Sequence, residues 1–205
     1  MTFVPPTVAA APDSDEALML RYAAGEVAAF DQLYGRHEMR VWRYLLRSVR
    51  VQAVADELLQ DVWFAVARQG PGYQVSARFT TWVFTIAHNR LVDHFRSAKN
   101  HPGLHGSGSR PGHSDEDEGG AVEDTLAADS GFGPLRQLQS REQAAALLAA
   151  VEQLAPEQRE AFLLQAEAGM NVQDIARTTG VSFETAKSRL RYARSKLRQQ
   201  LMEFA

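Results

Sequence analysis

The sequence predicts an all-α chain: two small helical domains joined by a flexible acidic linker, the second ending in a helix-turn-helix. Three observations carry this. Apolar residues recur at steps of three and four through two stretches, 15–99 and 140–205. A polar, Gly-rich, acidic run separates them. Near the C-terminus, two short amphipathic segments meet at Gly180.

Residues 1–14 are expected to be a disordered leader. They lack the basic start and apolar core of a signal peptide. A helix is expected over 15–24, broken by Gly25. The next, over 27–49, carries Phe30, Leu33, Tyr34, Val41, Trp42, Leu45 and Leu46 at helical spacing. Residues 53–67 place Val54, Leu58, Val62 and Val66 on one side. Gly and Pro make 70–77 a loop. A long helix over 79–98 then has Trp82, Val83, Ile86, Ala87, Leu91 and Phe95 in period. These elements form a first domain over 15–99.

Composition changes abruptly at the linker, 100–139. Residues 101–140 hold seven acids and two arginines, and 100–120 are polar, Gly-rich and almost free of large apolar side chains. Such a segment buries no core and is expected to stay disordered alone. It contains His101, His105 and His113, but histidines in a Gly-rich run without cysteine do not make a metal site. Helical spacing resumes over 140–154 with Ala144, Leu147, Leu148 and Val151. Pro156 marks the start of a further helix, closed by Gly169.

The last stretch, 171–201, carries the chemistry. Asn171 is a good N-cap for a short helix over 172–179, and Gly180 tolerates the left-handed turn after it. Ser182 caps the next helix. There Phe183, Ala186, Leu190, Ala193, Leu197 and Leu201 form an apolar stripe. Lys187, Arg191, Arg194 and Arg198 run beside it, and 185–202 hold six Lys or Arg and no acid. One buried face beside a cationic face suits a groove lined by phosphates, which is the layout of a DNA-reading helix-turn-helix.

Composition excludes several function classes. With no cysteine among 205 residues there is no disulfide framework, thiol nucleophile or cysteine-based zinc finger. No apolar run reaches membrane-spanning length, so no membrane insertion is expected. Net charge is only −3, but the excess acid sits in the linker. Residues 1–100 carry eleven basic and ten acidic side chains, and 141–205 nine and eight. No nucleophile, phosphate-cradling loop or pocketed carboxylate cluster marks an enzyme, and no cofactor is implied.

Three segments, in this order, resemble the bacterial extracytoplasmic-function (group IV) sigma factors of the sigma-70 family. ADELLQDVWFAV (55–66) looks like the family's core-polymerase-binding helix. FTTWVFTIAHNRLVDHFR (79–96) looks like its promoter-melting helix, with Thr-Trp, Ile-Ala and Asn-Arg pairs. LAPEQREAFLLQAEAGMNVQDIARTTGVSFETAKSRLRYARSKL (154–197) is similar to its terminal domain almost throughout. The resemblance implies a cytoplasmic transcription initiation factor. It would bind core RNA polymerase and direct it to promoters, reading double-stranded −35 DNA and capturing single-stranded −10 DNA. It also implies a monomer when free and, as is common in the family, an anti-sigma factor.

Site residues follow from the same resemblance. Glu57, Gln60 and Asp61, at i, i+3 and i+4 on one helix face, are expected to meet core polymerase. Arg78, Asn89, Arg90, His94 and Arg96 are expected at the −10 DNA. Asn89 matches the position close to the flipped base, where an amide both donates and accepts. The loop 73–78 is placed for the melted strand. Phe79 and Trp82 read as core at their spacing. Lys187, Ser188 and Arg191, with Thr185 near the helix start, are expected to read the −35 element. Arg189 and Arg194 are expected on phosphates. The alternative is a stand-alone helix-turn-helix regulator, which would need neither 55–66 nor 79–96.

Overall fold

The computed structural model describes residues 14–100 and 134–202. The leader over 1–14 and the linker over 100–139 fall mostly outside the described residues, as do His101, His105 and His113. Every regular element among the described residues is helical. They are α1 (Asp15–Ala23), α2 (Val27–Val49), α3 (Gln52–Gln69), α4 (Phe79–Asn100), α5 (Pro134–Glu152), α6 (Pro156–Ala168), α7 (Val172–Thr179) and α8 (Phe183–Met202). A single 3-10 turn, Gly70–Gly72, follows α3.

Helices α1 to α4 bury one core. Leu18, Leu33, Val41, Tyr44, Leu45, Val62, Val66, Phe79, Val83 and Phe84 are closed to solvent at its centre. Tyr44 and Phe84 meet edge to face, ring centroids 5.5 Å apart, the arrangement that the ring quadrupoles favour. Tyr22, Phe30, Tyr34 and Trp63 form a second aromatic cluster between α1, α2 and α3. Gly70 must be glycine for it to close: a Cβ there would sit 2.6 Å from the Tyr22 ring.

Two carboxylates of α1 tie the other helices down. Glu16 Oε1 accepts the backbone N–H of Phe79 at 2.7 Å, satisfying an amide at the first residue of α4 with a favourable charge. Asp15 accepts from Arg36 at 3.0 Å and from His37 Nε2 at 2.7 Å. The hydrogen bond from His37, then that from Arg36, hold the Asp15 carboxyl below its ordinary value of 3.8, against the opposing effect of burial. A lowered native pKa stabilises the fold above the unfolded carboxylate range, and that contribution is lost as pH falls through it. Asp15→Asn is therefore expected to cost about 1–2 kcal/mol at neutral pH. The gap from wild type should close in acid, as chemical denaturation at a series of pH values would show.

Helices α5 to α8 bury a second core of Val151, Leu154, Ala161, Leu164, Met170, Ile175, Leu190, Ala193 and Leu197. The α5 helix begins at Pro134, ahead of the start expected at 140. Proline is preorganised for the first helical position, where its missing N–H costs nothing. Asn171 caps α7 by accepting the Asp174 amide at 2.9 Å, and Gly180 leaves it at φ 67°. Ser182 Oγ accepts the Thr185 amide at 3.1 Å, starting α8. Ala176, Ala186 and Ala193 are buried, and α7 packs against α8.

The two units pack on each other. Helix α6 lies against α2, and α6 and α7 lie against α4.

Candidate nucleic-acid interface

The outward side of α8 follows from which residues it buries. Ala186, Leu190, Ala193 and Leu197 face the core. At about 100° per residue, Glu184, Ser188, Arg191 and Ser195 then point away from it. Lys187 lies on one flank and Thr185 on the other. Thr185, Lys187, Arg191 and Arg194 are exposed; Ser188 and Arg189 are half-buried. Thr185, Lys187, Ser188 and Arg191 therefore share one accessible surface. Arg189 sits nearer the core edge. Arg194 donates to Gln165 Oε1 at 2.6 Å, which turns it toward α6.

Two features of this surface are not those expected from the sequence. Phe183 is 49% exposed rather than part of the buried stripe, and the Lys187 ammonium lies 5.9 Å from its ring centroid. Tyr192 is 54% exposed, and the Arg191 guanidinium stacks over its ring at 5.0 Å. Each aromatic supports a neighbouring cation by cation–π attraction. The signal for Tyr192 was present: an aromatic outside the apolar stripe, next to Arg191.

On α4, Asn89 and Arg96 are exposed, and Arg90 and His94 are half-buried. Arg96 pairs with Asp93 at 3.4 Å, and the His94 ring lies 5.6 Å from that of Phe95. Phe95 itself is 45% exposed, outside the core that its spacing suggested. Arg90 turns toward α3, lining a shallow hollow with Asp61, Phe64 and Arg68. Arg78 donates to the Gly169 carbonyl at 2.7 Å and lies 3.9 Å from Asp174. The five residues are thus spread over the N-terminus, flank and C-terminal half of α4.

The loop ahead of α4 is accessible from Gln74 to Arg78, whereas Tyr73 is buried against Phe79 and Trp82. Burial, then the nearby Glu16 and Asp15 carboxylates, push the Tyr73 hydroxyl up to about 12. Phe79 is fully buried and Trp82 half-buried, in line with their core spacing.

On α3, Glu57, Gln60 and Asp61 are all exposed on one face. The next position along that face is Phe64, 72% exposed. Its neighbour Trp63 is buried, so periodicity separates two adjacent aromatics into core and surface.

Residues 33–101 match the Sigma-70 region 2 family and residues 144–197 the Sigma-70, region 4 family. The chain is 32% identical over 185 residues to the RNA polymerase sigma factor CarQ of Myxococcus xanthus, covering 90% of this chain and 96% of that one. This chain is an extracytoplasmic-function sigma factor of the sigma-70 family. The ECF RNA polymerase sigma factor SigM of Mycobacterium tuberculosis (strain ATCC 25618 / H37Rv) is 29% identical over 90% of this chain and 83% of its own. Two solved structures share the fold. CnrH, in complex with the cytosolic domain of CnrY, aligns at TM-score 0.61 and 21% identity over 94% of this chain and 100% of that one. RpoE of Bartonella quintana, in complex with the anti-sigma factor NepR, aligns at 0.60 and 20% over 84% and 96%. The sigma factor therefore binds core RNA polymerase and directs it to promoter DNA. The stand-alone regulator is not favoured, because α3 and α4 belong to the matched region 2. Sigma factors are initiation factors rather than catalysts.

Proposed function

We propose that three surfaces divide the work of this sigma factor. The exposed face of α3, with Glu57, Gln60 and Asp61, docks on basic side chains of core polymerase, and Phe64 adds an apolar anchor. Gln74–Arg78 and the exposed side of α4, with Asn89 and Arg96, receive the −10 element as it melts. His94 supports the duplex just upstream. Arg90, facing Asp61 and Phe64, belongs to the rim between the polymerase face and the DNA face. The outward face of α8 reads the −35 element in the major groove. The observation that carries this is the shared accessible surface of Thr185, Lys187, Ser188 and Arg191, with Arg191 held by Tyr192.

Arg191 reads a guanine through O6 and N7, while Arg189 and Arg194 contact phosphates. Arg191→Ala is expected to weaken −35 binding by about 1–3 kcal/mol and to relax preference at one base. A panel of single-base −35 variants would show it. Equal loss on every sequence would make Arg191 a phosphate contact instead.

The domains divide at 15–99 and 140–205, joined by an acidic linker at 100–139 and preceded by a leader. The protein acts in the cytoplasm as a monomer until it meets polymerase. Among the described residues no helix is long and apolar enough to cross a membrane. RpoE of Bartonella quintana was solved with the anti-sigma factor NepR, and an inhibitor of that class is proposed here. Run-off transcription with core polymerase on a genomic-fragment library tests the whole reading. Discrete starts that require the chain and share −35 and −10 elements are expected. Absence of such starts, with DNA binding retained in the absence of core, would return the alternative.

A further inference from the structure

Tyr192 falls outside the apolar stripe of α8 and stays 54% exposed. A single exposed aromatic is ordinary on a protein surface. Two observations set this one apart. The first is its place on the helix. Thr185, Ser188 and Tyr192, at i, i+3 and i+7, run along one side of the outward face, and Lys187 and Arg191 run along the other. The second is that its ring already has a partner: the Arg191 guanidinium lies 5.0 Å from the ring centroid. Helix α8 packs on α5, α6 and α7. The domain contact lies on α6 and α7, as where Arg43 donates Nε and Nη2 to the Glu167 carboxylate at 3.0 and 2.9 Å.

We infer that Tyr192 is a specificity-determining residue for the −35 element, and that its ring reads a thymine methyl group beside the guanine taken by Arg191. The inference rests on the −35 role proposed for α8. An arginine that reads guanine directs the donors at the edge of its fork to O6 and N7, and its flat face stays open to stacking. Tyr192 occupies that face. Holding the fork over a ring before DNA arrives lowers the ordering cost of the contact. The rest of the ring is accessible and apolar, and in the major groove the one apolar mark on a base edge is the C5 methyl of thymine. Successive bases rise about 3.4 Å along a strand. A ring centred 5.0 Å from the guanidinium therefore reaches a base within about two pairs of that guanine. Two consecutive side chains thus read two neighbouring bases, one by its charged fork and the other by its apolar ring.

The test deletes the methyl group alone. Full-length protein with core polymerase selects −35 duplexes from a randomised promoter library. Each thymine of the selected element, on either strand, is then replaced by deoxyuridine. Wild-type holoenzyme is expected to lose about three- to fourfold in affinity at one thymine, the effect of exposing one buried methyl. That thymine should lie within about two pairs of the guanine whose preference Arg191→Ala removes. Tyr192→Ala should abolish the deoxyuridine effect, and Tyr192→Phe should keep it. Tyr192→Ala should also lower guanine preference by about two- to fivefold, because Arg191 loses its aromatic support. This second loss should vanish where Arg191 is already alanine. Tyr192 is exposed and alanine favours helix, so the variants should melt like wild type. A selected element with no thymine so placed overturns the inference. So does deoxyuridine sensitivity that Tyr192→Ala leaves intact, or a Tyr192→Phe protein that behaves as Tyr192→Ala, which would mark a hydroxyl contact instead. Arg191→Ala keeps the two levels apart. A holoenzyme that selects no element, or keeps its full −35 preference without Arg191, overturns the reading of α8 itself. One that loses guanine preference without Arg191, while no thymine depends on Tyr192, overturns this inference alone.

Discussion

Gln60→Ala combined with Asp61→Lys is expected to lower affinity for core RNA polymerase by about 2–5 kcal/mol, the range for losing a charge pair that docking desolvates. Both positions are exposed in α3. Alanine and lysine are good helix formers, so α3 itself should hold. The loss then belongs to the interface. Two groups disappear from one face, and a positive charge appears where basic side chains are received. Phe64→Ala should add a smaller loss, because its ring is 72% exposed in the chain alone and gains burial only on docking. Titration of labelled protein with core polymerase, alongside thermal melts of each variant, separates docking from folding. Unchanged affinity with an unchanged melt would move the docking surface off α3.

How far the sequence reveals this molecule depends on the range of the interaction concerned. Caps and turns are local, and Asn171, Gly180 and Ser182 each act where their chemistry points. Helical period is nearly as local: α2 and α7 run over the spans expected for them. Periodicity fails at the edges of a face. Phe95 and Phe183 lie at apolar spacing yet are exposed. The side chains of Arg90 and Arg194 illustrate the next range. Their charge marks them as candidates for DNA, but the packing of α3 and α6 beside them decides where they turn. The domain contact is least legible. Arg43 and Glu167 are 124 positions apart, and each reads alone as an ordinary surface charge.

Ile175→Ala is expected to remove about 2–5 kcal/mol from the second domain and, with it, recognition of the −35 element. Ile175 is closed to solvent and is one of three buried residues of α7, a helix of eight residues. A helix that short has little stability of its own, so packing of its buried face holds it against α8. Small domains have only several kcal/mol to lose. Truncating Ile175 leaves a cavity where α7 meets the core, and the turn at Gly180 no longer fixes the angle at which α8 is presented. Every −35 contact should weaken together, although no atom facing DNA has changed. Arg191→Ala provides the contrast. Its side chain lies outside the core, so the melt should stay put while binding falls on one base. Melting curves and −35 affinities measured for both variants distinguish a reading residue from a supporting one. An Ile175→Ala protein that melts like wild type yet loses −35 binding would place that side chain in recognition itself, against the burial that defines its role here.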